Sequence, residues 1–142
     1  MKKVKFALLV AVFGFGLAVS LFPVAHAFAG SGTRLECKAI GPVDTSMDAR
    51  YEEKEGREKL SISFEAAPGG LFAAGNVLLV TLNGAFLGNM ILSQPDGIGD
   101  VEGDLNFDTT ADPDDQDLPF PSIVVGDGDV VMVDELGCEL ED

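Results

Sequence analysis

Carboxylates are the side chains of this sequence with the most chemistry to offer. Asp108, Asp112, Asp114, Asp115 and Asp117 crowd one short stretch, and hard cations such as calcium take about six to eight oxygens, which flexible acidic loops supply. Asp96 and Asp100, set around Gly97 and Gly99 and followed by Glu102 and Asp104, form a second group of the same composition. A third, Asp127 and Asp129, fits the turn Gly126-Asp127-Gly128 better than a ligand set. None has the spacing of an EF-hand loop. Calcium is therefore indicated by composition alone, with a solvated acidic loop as the plainer reading. Paired carboxylates also serve hydrolases. Asp44-Thr45-Ser46 resembles the start of an aspartic protease motif, with Asp108-Thr109-Thr110 as a partner, but both lack the glycine that normally follows. A two-carboxylate glycosidase needs aromatic platforms in a cleft, and the chain has no Trp and one Tyr. A carboxylate-dependent hydrolase is the remote alternative.

Other catalytic types are thinly supplied. The single histidine, His26, lies in the leader described below, so the mature chain has no imidazole for acid–base work near neutral pH. Its six serines sit in no nucleophile elbow and no Ser-x-x-Lys motif. Cys37 and Cys138 are the only cysteines. They lack the C-x-x-C spacing of a redox or metal pair, and in an exported chain two thiols pair with each other. A bond between them closes a loop of about a hundred residues, worth roughly 4–5 kcal/mol in the chain-entropy model.

Export is read from residues 1–27. Lys2, Lys3 and Lys5 form a basic start, an apolar run follows to Leu21, Pro23 breaks it, and Ala25-His26-Ala27 is a small-x-small cleavage site ending at Ala27. Cleavage removes three of nine bases and none of 24 acids. Six bases then face 24 acids, and the net charge moves from −15 to −18. From Leu60 to the end there are 17 acids and no base. Such a surface repels nucleic acid and anionic lipid and suits a cationic or protein partner. No apolar run after the leader is long enough to span a bilayer, so no membrane contact is expected after cleavage. The bases near residues 54–59 could meet the acidic loop of another copy, giving weak self-association that salt weakens.

These groups must be positioned by strands. Leu35, Cys37 and Ala39 alternate with polar residues, as do Leu60, Ile62 and Phe64, then Val101, Gly103, Leu105 and Phe107, and finally Leu136, Cys138 and Leu140; a period of two is that of a half-buried strand. Residues 47–66 have helix-forming composition, yet their alternation and the central Glu55-Gly56 favour a charged-tipped hairpin. Asn83-Gly84, between residues 77–82 and 85–92, is a type I′ hairpin signal. The nearly continuous apolar run at 77–82 suggests a central strand covered on both sides, or one whose outer face meets a neighbour. Ile123, Val124 and Val125 form a further short run before the turn at residues 126–129, after which Val130 resumes a strand.

Short strands, about seven or eight with little helix signal, predict an all-β fold: an antiparallel β-sandwich of Ig-like or Greek-key type with one disulfide. Ala49-Arg50-Tyr51-Glu52-Glu53, Gly56-Arg57, residues 60–65, Asn83-Gly84, Leu87-Gly88, residues 105–109, Phe120-Pro121 and Val125-Gly126-Asp127 together resemble short exported bacterial β-sandwich modules of uncharacterised role. The resemblance implies fold more than activity, and the cysteine pair stands outside it. The expected organisation is a signal peptide at 1–27, a flexible segment at 28–33 and one β-sandwich domain at 34–142. The expected role is that of a non-catalytic secreted or periplasmic module, structural or interacting, with no cofactor; a calcium-binding extracellular module is the alternative.

Overall fold

A computed structural model describes residues 32–112 and 116–142. The proposed leader, most of the segment that follows it, and Asp114 and Asp115 lie outside the described residues. Nine strands follow in chain order: β1 Thr33–Gly41, β2 Thr45–Lys54, β3 Arg57–Ala66, β4 Val77–Leu82, β5 Ala85–Ile91, β6 Val101–Asp108, β7 Leu118–Pro119, β8 Val130–Val133 and β9 Leu136–Glu139. They form two sheets, ordered β1-β2-β3-β6-β7 and β5-β4-β8-β9. Every pairing is antiparallel except the two-residue contact of β7 with β6. The protein is an all-β sandwich.

Alternation builds the core. In the first sheet β2 turns Met47, Ala49 and Tyr51 inward, β3 turns Leu60, Ile62 and Phe64, and β6 turns Leu105 and Phe107, all buried. The second sheet answers with Leu78, Val80 and Leu82 from β4 and Val131 and Val133 from β8. The sheets pack tightly at Gly103, where a Cβ would lie 2.7 Å from Met90 Cγ and 2.8 Å from Leu92 Cδ2. Met90 and Leu92 therefore occupy the volume of the missing side chain.

The hairpin turns are as the sequence predicts. Asn83 and Gly84 have φ of 49° and 80°, and Glu55 and Gly56 have 54° and 80°. These are the left-handed values that a two-residue turn matched to strand twist requires. Asn83 also has a second structural role. Its backbone N–H donates to Val130 O at 2.8 Å, its Oδ1 accepts from Val130 N at 2.9 Å and its Nδ2 donates to Asp129 Oδ1 at 2.7 Å, tying the turn to β8.

The two sheets are tied to each other at both long edges of the sandwich. Cys37 of β1 and Cys138 of β9 form a disulfide with Cα atoms 5.6 Å apart, 101 residues apart in sequence. Glu36 and Glu141 exchange backbone hydrogen bonds of 2.9 and 3.1 Å beside it. On the opposite edge Ser93 and Glu102 exchange bonds of 2.7 and 2.9 Å, joining the chain after β5 to β6.

Two local expectations change. Residues 123–125 are not a strand: the chain pairs earlier, at Leu118 and Pro119, and Ile123 N–H donates to Pro121 O in a tight turn while Val124 stands in solvent. The run at 77–82 is central in its sheet, between β5 and β8, but is covered on one face only among the described residues. Val77 and Leu79 remain open.

Candidate functional surfaces

Asp108, the first residue of the acidic group, ends β6 opposite Lys59 of β3. Its side chain is 1% exposed. Arg57 Nε donates to both carboxylate oxygens at 3.0 and 3.2 Å, and Arg57 Nη2 donates to Oδ2 at 2.6 Å. Lys59 Nζ lies 3.0 Å from Oδ2, and the Thr110 N–H and hydroxyl donate to Oδ1 at 2.8 and 2.9 Å. The Arg57 hydrogen bonds, followed by those from Thr110 and Lys59, hold this carboxyl far below the usual carboxylate range against the opposing effect of burial. The arrangement satisfies a buried anion with two half-exposed cations. It also engages two of the bases on which the head-to-tail contact of the charged hairpin depends.

The other acids are dispersed. Asp112 and Asp117 flank residues 113–115, so the structure places Asp108, Asp112 and Asp117 of the five-residue group and leaves Asp114 and Asp115 outside. In the second acidic group, Asp96 Oδ1 accepts from the Ile98 and Gly99 N–H groups at 3.1 and 2.6 Å, which closes the glycine turn and lowers its pKa. Asp100 instead reaches Glu65 of β3; the hydrogen bond between the two carboxyls, with their repulsion, raises the Glu65 pKa. Among the described residues no three His, Cys, Asp or Glu side chains gather as a metal site.

The two outer faces of the sandwich differ in kind. Register places Ser46, Glu65 and Glu102 in one row of the first sheet and Asp48, Ser63 and Asp104 in the next. Further along, Glu36 lies between Arg34 and Arg50, with Arg50 Nε 2.8 Å from Glu36 Oε1. Hydrogen bonds from Arg34, with its charge and that of Arg50, lower the Glu36 pKa. That face is an ionic lattice in water.

The second sheet carries no charge on the corresponding positions of β4 and β5. Register aligns Val77 with Ile91, Leu79 with Asn89 and Thr81 with Phe86, while Met132 of β8 continues the last row. Phe86 reaches this face through a bulge. The register shifts between Val80 and Thr81, so Val80 faces Gly88 while Thr81 faces Phe86, and Leu87 is the extra residue. Without it, Phe86 would share the inward face of Met90 and Gly88. Sequence reading missed this; the signal was Gly88 inside a strand, a usual mark of a bulge or close approach. A Cβ at Gly88 would lie 3.1 Å from Leu105 Cδ2, so the close approach is present too.

An open apolar cleft of about 500 Å³ lies at one end of the sandwich, lined by Pro42, Phe64, Leu71, Phe72 and Leu136 among others. Phe64 and Phe72 meet edge to face there, with centroids 5.0 Å apart. At the other end Tyr51 donates to Glu58 Oε1 at 2.8 Å, and burial together with that bond raises its pKa. No helix among the described residues is long and apolar enough to cross a membrane. Comparison of the chain with protein-family models, with curated proteins and with solved structures finds no match to any of them.

Proposed function

We propose that this chain is an exported, non-catalytic β-sandwich module with a structural or interaction role in the periplasm or the extracellular medium. The observation that carries the reading is the Cys37–Cys138 disulfide, which ties the first strand to the last and the first sheet to the second. Disulfides of this kind form and persist in oxidising compartments. The leader at residues 1–27 supplies the route out of the cytoplasm. The placement of polar groups supports the same reading, because among the described residues the most heavily hydrogen-bonded carboxylate, Asp108, is held by Arg57, Lys59 and Thr110 and serves to pin β3 to β6.

Mass spectrometry of the protein recovered from its native host tests this. The reading requires a chain beginning at Phe28 whose mass is two hydrogens below that of the dithiol form. An intact leader or two free thiols would overturn it.

A further inference from the structure

We propose that the outer face of the second sheet, β5-β4-β8, is a docking surface for a second copy of this chain. The inference rests on the module reading above and names its partner.

The thirty residues 66–95 contain no charged side chain in a protein whose net charge is −15, and β4 and β5 lie wholly within them. Two copies of so acidic a chain repel each other at almost every approach. The face of β4 and β5 is where they can meet without apposing carboxylates. Of the nearby acids, Asp134 stands beside Leu79 at the β8 side of the face, its Oδ1 accepting from the Leu79 N–H at 2.7 Å, while Asp129 lies in the turn before β8 and Glu139 on the edge strand β9.

Val77, Leu79, Phe86 and Ile91 are 56%, 49%, 62% and 66% exposed. Together they present on the order of 400 Å² of apolar surface, inside the range of about 300–600 Å² at which the largest patch on a monomer is often functional. With Thr81 and Met132 counted, two apposed faces bury about 1,000 Å², the floor for a specific interface. A reversible dimer of modest affinity is what such an area supports.

The edges of this sheet are poor docking sites: β9 is tied to β1 by the disulfide and the Glu36–Glu141 bridge, and β5 is closed at one end by the Ser93–Glu102 bridge and interrupted by the bulge at Leu87. The same bulge turns Phe86 onto the open face. Bulges discourage strand addition at an edge, so the construction favours face against face, the isologous contact of a two-fold dimer.

Salt gives the contact a signature opposite to that of an ionic one. Screening relieves repulsion between like-charged copies, so association through an uncharged face strengthens as salt rises, whereas head-to-tail pairing of the hairpin bases with an acidic loop weakens. The test is sedimentation equilibrium of the protein recovered from an exporting host, from micromolar to near-millimolar concentration, in low and high sodium chloride. The expected result is a monomer–dimer equilibrium that tightens several-fold from about 20 to 500 mM salt, and that Leu79→Lys and Phe86→Asp each weaken at least tenfold while melting remains cooperative. Glu65→Gln, on the other sheet, leaves dimerisation in place. A monomer at every concentration and salt, or an association that weakens with salt or ignores both substitutions, overturns the proposal. Free thiols in the same preparation would count against the exported-module reading without touching the dimer result, so the two failures remain distinct.

Discussion

The two sheets bury their inner faces by the same alternation and treat their outer faces in opposite ways. On the first sheet the outward positions carry Glu36, Asp48, Arg50, Glu65, Glu102 and Asp104, some paired and some repelling, all solvated. On the second they carry Val77, Leu79, Phe86 and Ile91, and no charge falls on β4 or β5. Stability cannot be the reason for the second arrangement, since an outward Leu or Phe gains nothing from water. The difference teaches that inner faces answer to the fold and outer faces to what the protein meets: solvent on one side and, as proposed above, a second copy on the other.

The largest way to disturb this arrangement is to cut the bond that holds the sheets together. Replacing Cys37 and Cys138 by Ser is expected to lower unfolding stability by about 4–5 kcal/mol, read as a shift in the urea midpoint. Reductant should shift the native chain similarly and leave the double variant unmoved.

Next is Asp108, the buried carboxylate at the end of β6 in the charged sheet. Asp108→Asn weakens its charge-assisted bonds to Arg57 and Lys59 and is expected to cost about 2–3 kcal/mol. The pH dependence has a defined sign. The folded carboxyl titrates far below its ordinary value of about 3.9, so its contribution is complete above that value and is lost as pH falls below it toward the folded pKa. Thermal melts between about pH 6 and pH 2 should show a steeper acid decline in the native chain than in Asp108→Asn.

The space between the sheets offers a smaller lever. Gly103→Val forces a side chain into the volume held by Met90 and Leu92, an overpacking expected to cost about 1–3 kcal/mol in the same denaturation experiment. The smallest effect is calcium. With Asp108 already neutralised by Arg57 and Lys59, calcium is expected to raise the melting temperature over EDTA no more than magnesium does. A calcium-specific rise would instead support a cation-binding role for the loop at Asp112, Asp114, Asp115 and Asp117.

Much of the first sheet was legible because its outer residues are polar. Charges at alternate positions reveal the period of two, so β6 could be read directly, β2, β3 and the Glu55-Gly56 turn could be read against a competing helix-forming composition, and the inward cysteines of β1 and β9 followed from the same alternation. The second sheet was legible at its turn, through Asn83-Gly84, and obscure on its faces. With apolar residues on both sides, residues 77–82 read as one continuous run, and nothing local says which half is buried. Phe86, on the next strand, was hidden by a bulge whose one extra residue reverses the face of the strand residues before it. The partners of Asp108 were equally out of reach, since Arg57 is 51 residues away in sequence and its place beside Asp108 depends on β3 and β6 becoming neighbours across an intervening hairpin.

The contrast between the faces is tested most directly by an NMR dilution series on the exported protein at moderate salt. The account predicts concentration-dependent shifts confined to Val77, Leu79, Thr81, Phe86, Ile91 and Met132, with Glu36, Asp48, Glu65 and Asp104 stationary. Shifts on the charged sheet with a silent second sheet would contradict it.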